Sequence, residues 1–335
     1  MKRFLPLFLL LALILNGCGN TNGPAPQSSV SNSAVATLVP LGTPAPKYGD
    51  VARALIRDFS NIGSRVAGSG QETQAAQYIT SVLQAIGYSP ETQPFTADGN
   101  NGSVTSANVV AVKKGTSAQE IIVGAHYDSS AAGPGADDNA SGVAVMLEVA
   151  RMLSNQTTPY TIRFIAFGAA ESGLLGSYAY LNQMSQEEFE NIIGMIDLDS
   201  LVAGDVTYVY SDEGQQSHIR DWALEWALGN GLDLQTVRDV DLTDPKTGKG
   251  TSDYAPFRDA GIPYAYFQST DWTLGAKKGQ TQVDPRYGDN GIIRHTKYDT
   301  LDYLDTTFPG RVDGHLNLYV TVLYNLLVQY EVPFQ

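Results

Sequence analysis

An α/β fold, with a mostly parallel or mixed central sheet and helices on both faces, is predicted by three features of the sequence. Short apolar runs of strand length alternate with longer segments of helical periodicity. The run Ile121 to Ala125 is continuously apolar, as expected of a strand buried on both faces. Charged or polar groups follow such runs: His126 after Ile121–Ala125, Glu171 after Thr161–Phe167 and Asp199 after Ile192–Leu198. In open α/β sheets, functional groups collect at these carboxyl ends.

Taken in order, the pattern predicts a helix over Asp50 to Phe59 and a second over Gln71 to Ile86. The second carries Ala75, Ala76, Ile79, Val82, Leu83 and Ile86 at helical spacing and stops at Gly87, which suits a left-handed cap. Extended segments follow at Ser106 to Val112 and Ile121 to Ala125, then a helix over Ser141 to Leu153. Thr161 to Phe167 is a strand, a helix starts at Leu174, and Ile192 to Leu198 is a strand. Gln216 to Leu228 is helical, Pro263 to Phe267 extended, and Gly314 to Gln329 a closing helix with an apolar stripe. Gln268 to Ile293 is expected to form a long loop over the site.

The N-terminus is expected to be a lipoprotein signal peptide, residues 1 to 17. Lys2 and Arg3 precede an apolar run from Phe4 to Leu15, too short to span a bilayer and of signal-core length. Leu15-Asn16-Gly17-Cys18 reads as a lipobox with Cys18 as the lipidated first mature residue. Residues 18 to 46, rich in Ser, Pro, Ala, Thr and Asn, are expected to be a flexible tether. Residues 47 to 335 then form one domain. The expected location is the cell envelope, with the lipid anchor as the sole membrane contact.

Cys18 is the single cysteine, so disulfides and thiolate chemistry are excluded and any metal site must use His and carboxylates. With 35 Asp and Glu against 21 Lys and Arg, the chain is not built for nucleic acid or anionic lipid.

Five motifs carry chemistry. Gly124-Ala125-His126-Tyr127-Asp128 places two side chains on one side of a strand end, so Asp128 can accept from one ring nitrogen of His126 while the other meets a metal. Gly135-Ala136-Asp137-Asp138-Asn139-Ala140-Ser141-Gly142 supplies more carboxylates than capping of the following helix needs. Glu171 lies just past a buried strand, and Asp197 and Asp199 alternate in another. Such carboxylates are costly to desolvate without a cation. Arg294-His295-Thr296-Lys297-Tyr298-Asp299 adds a second His. Two His with several carboxylates suit Zn²⁺, and also Mn²⁺ or Co²⁺.

In this order, with Ser252-Asp253-Tyr254-Ala255-Pro256-Phe257 and the earlier Gly63-Ser64-Arg65 segment, the chain resembles the M28 family of zinc exopeptidases, which includes bacterial aminopeptidases and is related to glutaminyl cyclases. The resemblance implies a zinc-exopeptidase fold and two Zn²⁺. One would take His126, Asp138 and Asp199, the other Asp138, Glu171 and His295, with Asp138 as the bridge. Asp128 would orient His126, and Ser252, Asp253 and Tyr254 would line the pocket for a peptide substrate. His218 and His315 match no motif and read as ordinary helix residues.

The chain departs from the family at one place. The pattern has two consecutive Glu, the second a zinc ligand and the first the general base. Here the second is Glu171, and the first is Ala170. Three readings follow: an aminopeptidase using another base, with Asp137 and Asp197 nearest in sequence; a metal-bound, catalytically impaired peptide-binding lipoprotein; or a glutaminyl-cyclase-like acyltransferase.

Overall fold

A computed structural model describes residues 47–100, 102–238, 242, 251–274 and 279–332. The expected signal segment, Cys18 and the expected tether, residues 1 to 46, lie outside the described residues. Among the described residues no helix is long and apolar enough to cross a membrane.

Two helices come first, α1 (Asp50–Ile62) and α2 (Gly70–Ala85), followed by the strands β1 (Glu91–Gly99), β2 (Gly102–Lys113) and β3 (Ser117–His126). A kinked turn, Ala136–Ser141, leads into α3 (Gly142–Leu153). Next come β4 (Tyr160–Phe167), α4 (Leu175–Gln183), α5 (Gln186–Asn191), β5 (Ile192–Leu198) and β6 (Val206–Tyr210). The chain closes with α6 (His218–Gly229), α7 (Tyr254–Asp259), β7 (Tyr264–Thr270), α8 (Leu301–Thr307) and α9 (Arg311–Gln329).

The seven strands form one sheet in the order β1-β2-β4-β3-β5-β7-β6. The four central strands, β4-β3-β5-β7, are mutually parallel, and β1, β2 and β6 join antiparallel outside them. The expected mixed sheet is therefore present. Successive side chains of each central strand point to opposite faces of the sheet, and both faces are covered. Ile121, Val123 and Ala125 of β3 pack on the face covered by α1, α2, α3 and α9, while Ile122 packs on the face of α4 and α7. β4 divides likewise, with Ile162, Phe164 and Ala166 on one side and Ile165 and Phe167 on the other. Each Ile, Val or Phe among them contributes about 1.5–3 kcal/mol on burial.

Two strands fall outside the sequence expectation, for a shared reason. β1 reads Glu-Thr-Gln-Pro-Phe-Thr-Ala-Asp-Gly, contains a proline and buries only Phe95. β6 has five residues. Both are edge strands: β1 buries little and tolerates polar residues and proline, while β6 is largely buried but short and interrupted by Thr207, so neither gives a long apolar run. The extended stretch expected at Ser106 to Val112 is the inner half of the longer β2. Gln268 to Thr270, expected as loop, belong to β7, where each is buried.

Candidate metal centre

Three parallel strands end together, and each delivers one charged side chain. His126 is the last residue of β3, and Asp199 follows β5 directly. Glu171 stands on the turn after β4, and Asp138 on the kinked turn before α3. Gly142 permits that approach, since a Cβ there would lie 2.2 Å from the Leu198 carbonyl oxygen. His295 arrives from the loop before α8.

These five side chains converge. One donor atom each from His126, Asp138 and Asp199 lie within 4.8 Å of one another, as do those from Asp138, Glu171 and His295. His126 Nε2 stands 3.2 Å from Asp138 Oδ1 and 3.8 Å from Asp199 Oδ1. His295 Nε2 stands 3.0 Å from Asp138 Oδ2 and 3.0 Å from Glu171 Oε1. Asp138 thus presents one oxygen to each triad. The cluster opens at one side: the His295 side chain is 53% exposed, whereas that of Asp138 is 6% exposed.

The electrostatics ask for a cation. Burial works against the charge on Asp138, yet His295 and His126 hold its carboxyl well below the usual range. Burial, joined by the charge on Asp138, raises Glu171. The Asp138 charge, with hydrogen bonds to Asp138 and Glu171, pushes His295 up to about 11. Burial opposes a proton on His126, but Asp128, Asp138 and Asp199 outweigh it and raise this group well above its ordinary value. The carboxylates draw protons onto both imidazoles, the positive charge that a divalent ion would otherwise supply. Hard oxygen and borderline nitrogen donors without sulfur fit zinc.

A second ring of groups holds these side chains in place. His126 Nδ1 lies 3.3 Å from Asp128 Oδ1, which leaves Nε2 for the cluster. The Asp128 carboxylate also accepts from the amides of Ala170 and Glu171, both at 3.0 Å. Asp299, the far end of the His295 motif, accepts from the amides of Asp137 (2.6 Å) and Asp138 (3.1 Å). Arg65 is wholly enclosed and donates to the carbonyls of Tyr127 (2.7 Å), Gly135 (3.1 Å) and Pro134. Tyr266 donates its hydroxyl to Asp199 Oδ2 at 3.5 Å and accepts from Gln268 Nε2 at 2.6 Å. Gln282, from the long loop, donates to Asp137 Oδ2 (2.7 Å) and accepts from the amides of Ile293 and Arg294, just before His295. Arg65, Asp299, Tyr266 and Gln282 carry no role in the sequence reading. Asp299 had a signal in its motif, whereas Gln282 had none.

Left-handed backbone marks the same turns. Among the five non-glycine residues described with positive φ, Ala169 (55°), Ser200 (54°) and His295 (57°) lie at or within two residues of Glu171, Asp199 and His295. Such conformations persist only where surrounding bonds enforce them.

Two sequence expectations land differently, those for the stand-in bases and for the pocket segment. Asp137 and Asp197 do not stand open to a substrate. Asp137 is enclosed and accepts from the amides of Val202 (2.7 Å) and Ala203 (2.9 Å) as well as from Gln282. Asp197 is enclosed and accepts from the Tyr254 amide at 2.9 Å. Ser252, Asp253 and Tyr254 are themselves buried, so they back the site rather than line an open surface. Tyr254 stacks on Tyr264 and Tyr266. Asp253, by burial above all, is raised to about 7. Ala170 is buried beside Phe167, Leu174 and Phe257. His218, on α6, pairs through Nδ1 with the Tyr330 hydroxyl at 2.5 Å, outside the cluster.

Comparison with known proteins agrees with this geometry. The model of peptidase family M28 matches residues 108–319. The alkaline phosphatase isozyme conversion protein of Escherichia coli K12 is 32% identical over 83% of this chain and 90% of its own length. A probable lipoprotein aminopeptidase of Mycobacterium tuberculosis, LpqL, is 30% identical over 79% of this chain, which spans 56% of that relative. Among solved structures, a zinc aminopeptidase from Bacillus subtilis superposes with a TM-score of 0.67 at 20% identity, covering 87% of this chain and 98% of that one, a likeness of fold. The family match runs from β2 into α9 and takes in every residue of the two triads, and on that ground this chain belongs to peptidase family M28.

Proposed function

We propose that the protein is a two-zinc exopeptidase of aminopeptidase type whose turnover is impaired by the alanine at position 170. The observation that carries this reading is the divided carboxylate of Asp138, with Oδ1 toward His126 and Oδ2 toward His295. His126, Asp138 and Asp199 would hold one zinc, and Asp138, Glu171 and His295 the other. Zinc bound in such a pair supplies Lewis-acid polarisation of a carbonyl and makes a nucleophilic hydroxide accessible near neutral pH.

The chain's own residues do the rest. Asp128 fixes the ring of His126, and Asp299 fixes the backbone that carries Asp138. The exposed edge at His295 is the side from which a peptide N-terminus would enter. Position 170 is where the proton of the attacking group would be taken up, and a methyl group takes none. A general base typically contributes about two to four decades of rate. Asp137 is committed to backbone donors, and Asp197 is enclosed with one oxygen on the Tyr254 amide, so neither replaces it.

The same alanine favours a second reading, in which the centre binds peptide N-termini without hydrolysing them. We further propose residues 1 to 17 as leader, Cys18 as lipid attachment, residues 18 to 46 as tether and 47 to 335 as the peptidase domain. The lipoprotein description of the Mycobacterium relative supports that arrangement.

Purified full chain should contain two zinc ions and release amines slowly from a panel of aminoacyl-anilides, with a rise on added Zn²⁺. Two zinc ions with no release would leave the binding reading. Absence of bound zinc, manganese and cobalt from metal-replete protein would overturn both.

A further inference from the structure

Glu72 belongs to none of the motifs and holds no ligand position, yet it is 2% exposed and bonded through both oxygens. It is the third residue of α2, whose N-cap Ser69 accepts from the Glu72 amide at 3.1 Å. In a capping box the glutamate would turn back to the Ser69 amide. Instead, Oε2 accepts from the Gly68 amide at 2.6 Å, and Oε1 leaves the helix altogether. It accepts from the Ser106 hydroxyl on β2 at 2.6 Å and from the Ala169 amide at 3.0 Å. Capping α2 explains the first bond and not the last.

Ala169 opens the turn that carries Glu171. Its amide, that of Ala170 and that of Glu171 are donated in succession to Glu72 Oε1, Asp128 Oδ1 and Asp128 Oδ2. Two carboxylates from distant segments therefore grip three consecutive N–H groups, and Ala169 is held at φ 55° between them. Burying Glu72 beside Asp128 is unfavourable: burial first, with the Asp128 charge behind it, raises Glu72 to about 7. A residue kept there against that cost has a task that an exposed cap would not perform.

We propose that Glu72 is a positioning residue for Glu171: by fixing the Ala169 amide it sets the direction in which Glu171 leaves the turn toward His295 and Asp138. This rests on the reading of Glu171 as a metal ligand. Among the described residues the Glu72 carboxylate is hydrogen-bonded to Gly68, Ser106 and Ala169 and not to His126, Asp138 or Asp199, so its influence falls chiefly on the metal position that Glu171 serves.

The test is a stepwise zinc-competition titration of the full chain against a chelator, with thermal unfolding of the metal-free protein alongside. Glu72→Ala should weaken one zinc step about 10- to 100-fold and leave the other within about threefold. Ser69→Ala, which removes the α2 cap bond without touching Ala169, should lower the unfolding temperature and leave both steps unchanged. If Glu72→Ala fails to fold, Glu72→Gln, which keeps one acceptor oxygen, should weaken the same step by roughly three- to tenfold. Equal weakening of both steps, or as large an effect from Ser69→Ala, would overturn the proposal and leave Glu72 a helix cap. Glu171→Ala separates the two readings. It should abolish the step that Glu72→Ala weakens, and if that step survives, the ligand assignment has failed rather than the positioning.

Discussion

Asp138 Oδ1 lies 3.2 Å from His126 Nε2 while Asp138 Oδ2 lies 3.0 Å from His295 Nε2, so a single carboxylate belongs to both triads. Asp199 belongs to one.

That asymmetry makes the metal content of two variants differ. Asp138→Asn should reduce zinc from two ions per chain toward none, because the amide offers one oxygen where two are used. Asp199→Asn should retain one. Elemental analysis after gel filtration measures both, and equal losses from the two substitutions would contradict the shared role.

Ala170→Glu should raise aminoacyl-anilide turnover by roughly two to four decades, on the order of 3–5 kcal/mol of barrier. Zinc stoichiometry should stay the same, since Ala170 meets no ligand atom through its side chain. Steady-state kinetics at saturating zinc decide this. A gain below threefold would mean that another group already handles the proton.

Arg65 satisfies several buried carbonyls around the loop between His126 and Asp138. Arg65→Met keeps an apolar stem but removes the guanidinium that lies over Phe59 and leaves those acceptors without donors. The expected loss is roughly 3–5 kcal/mol of unfolding free energy, read from urea denaturation of the metal-free chain. A loss under 1 kcal/mol would show that water reaches the loop.

His315 on α9 gives the fold an acid limb. Burial, with the charge of Arg311 beside it, pushes this group from 6.5 down to about 4. The unfolded chain therefore binds a proton that the folded chain refuses between those values. The stability involved is complete above about pH 6.5 and drains as the pH falls toward 4, on the order of 1–3 kcal/mol. His315→Leu should flatten that limb in unfolding temperatures measured from pH 4 to 7, and an unchanged slope would mean that other groups govern it.

Much of this molecule was legible in one dimension, for identifiable reasons. Ile121–Ala125 and Ile192–Leu198 announce central strands because both faces are covered and no polar alternation survives. His126, Glu171 and Asp199 declare themselves because a charged group at the end of an apolar run needs a partner. β1, an edge strand with little to bury, and β6, an edge strand of only five residues, leave no such trace. Glu72 is hidden by its own local sense: Ser69-x-x-Glu72 reads as a helix start and is one.

The sequence by itself determined the donor types, the lack of sulfur, the α/β architecture and the alanine at position 170. Only the tertiary structure decided that Asp138 is divided between two imidazoles, that Asp137 and Asp197 are enclosed and face backbone amides, and that Glu72 reaches the turn of Glu171. The physical reason is range. Periodicity and charge placement follow from neighbours along the chain, whereas a hydrogen bond between residues 97 positions apart exists only once the sheet has brought strand ends and helix starts together.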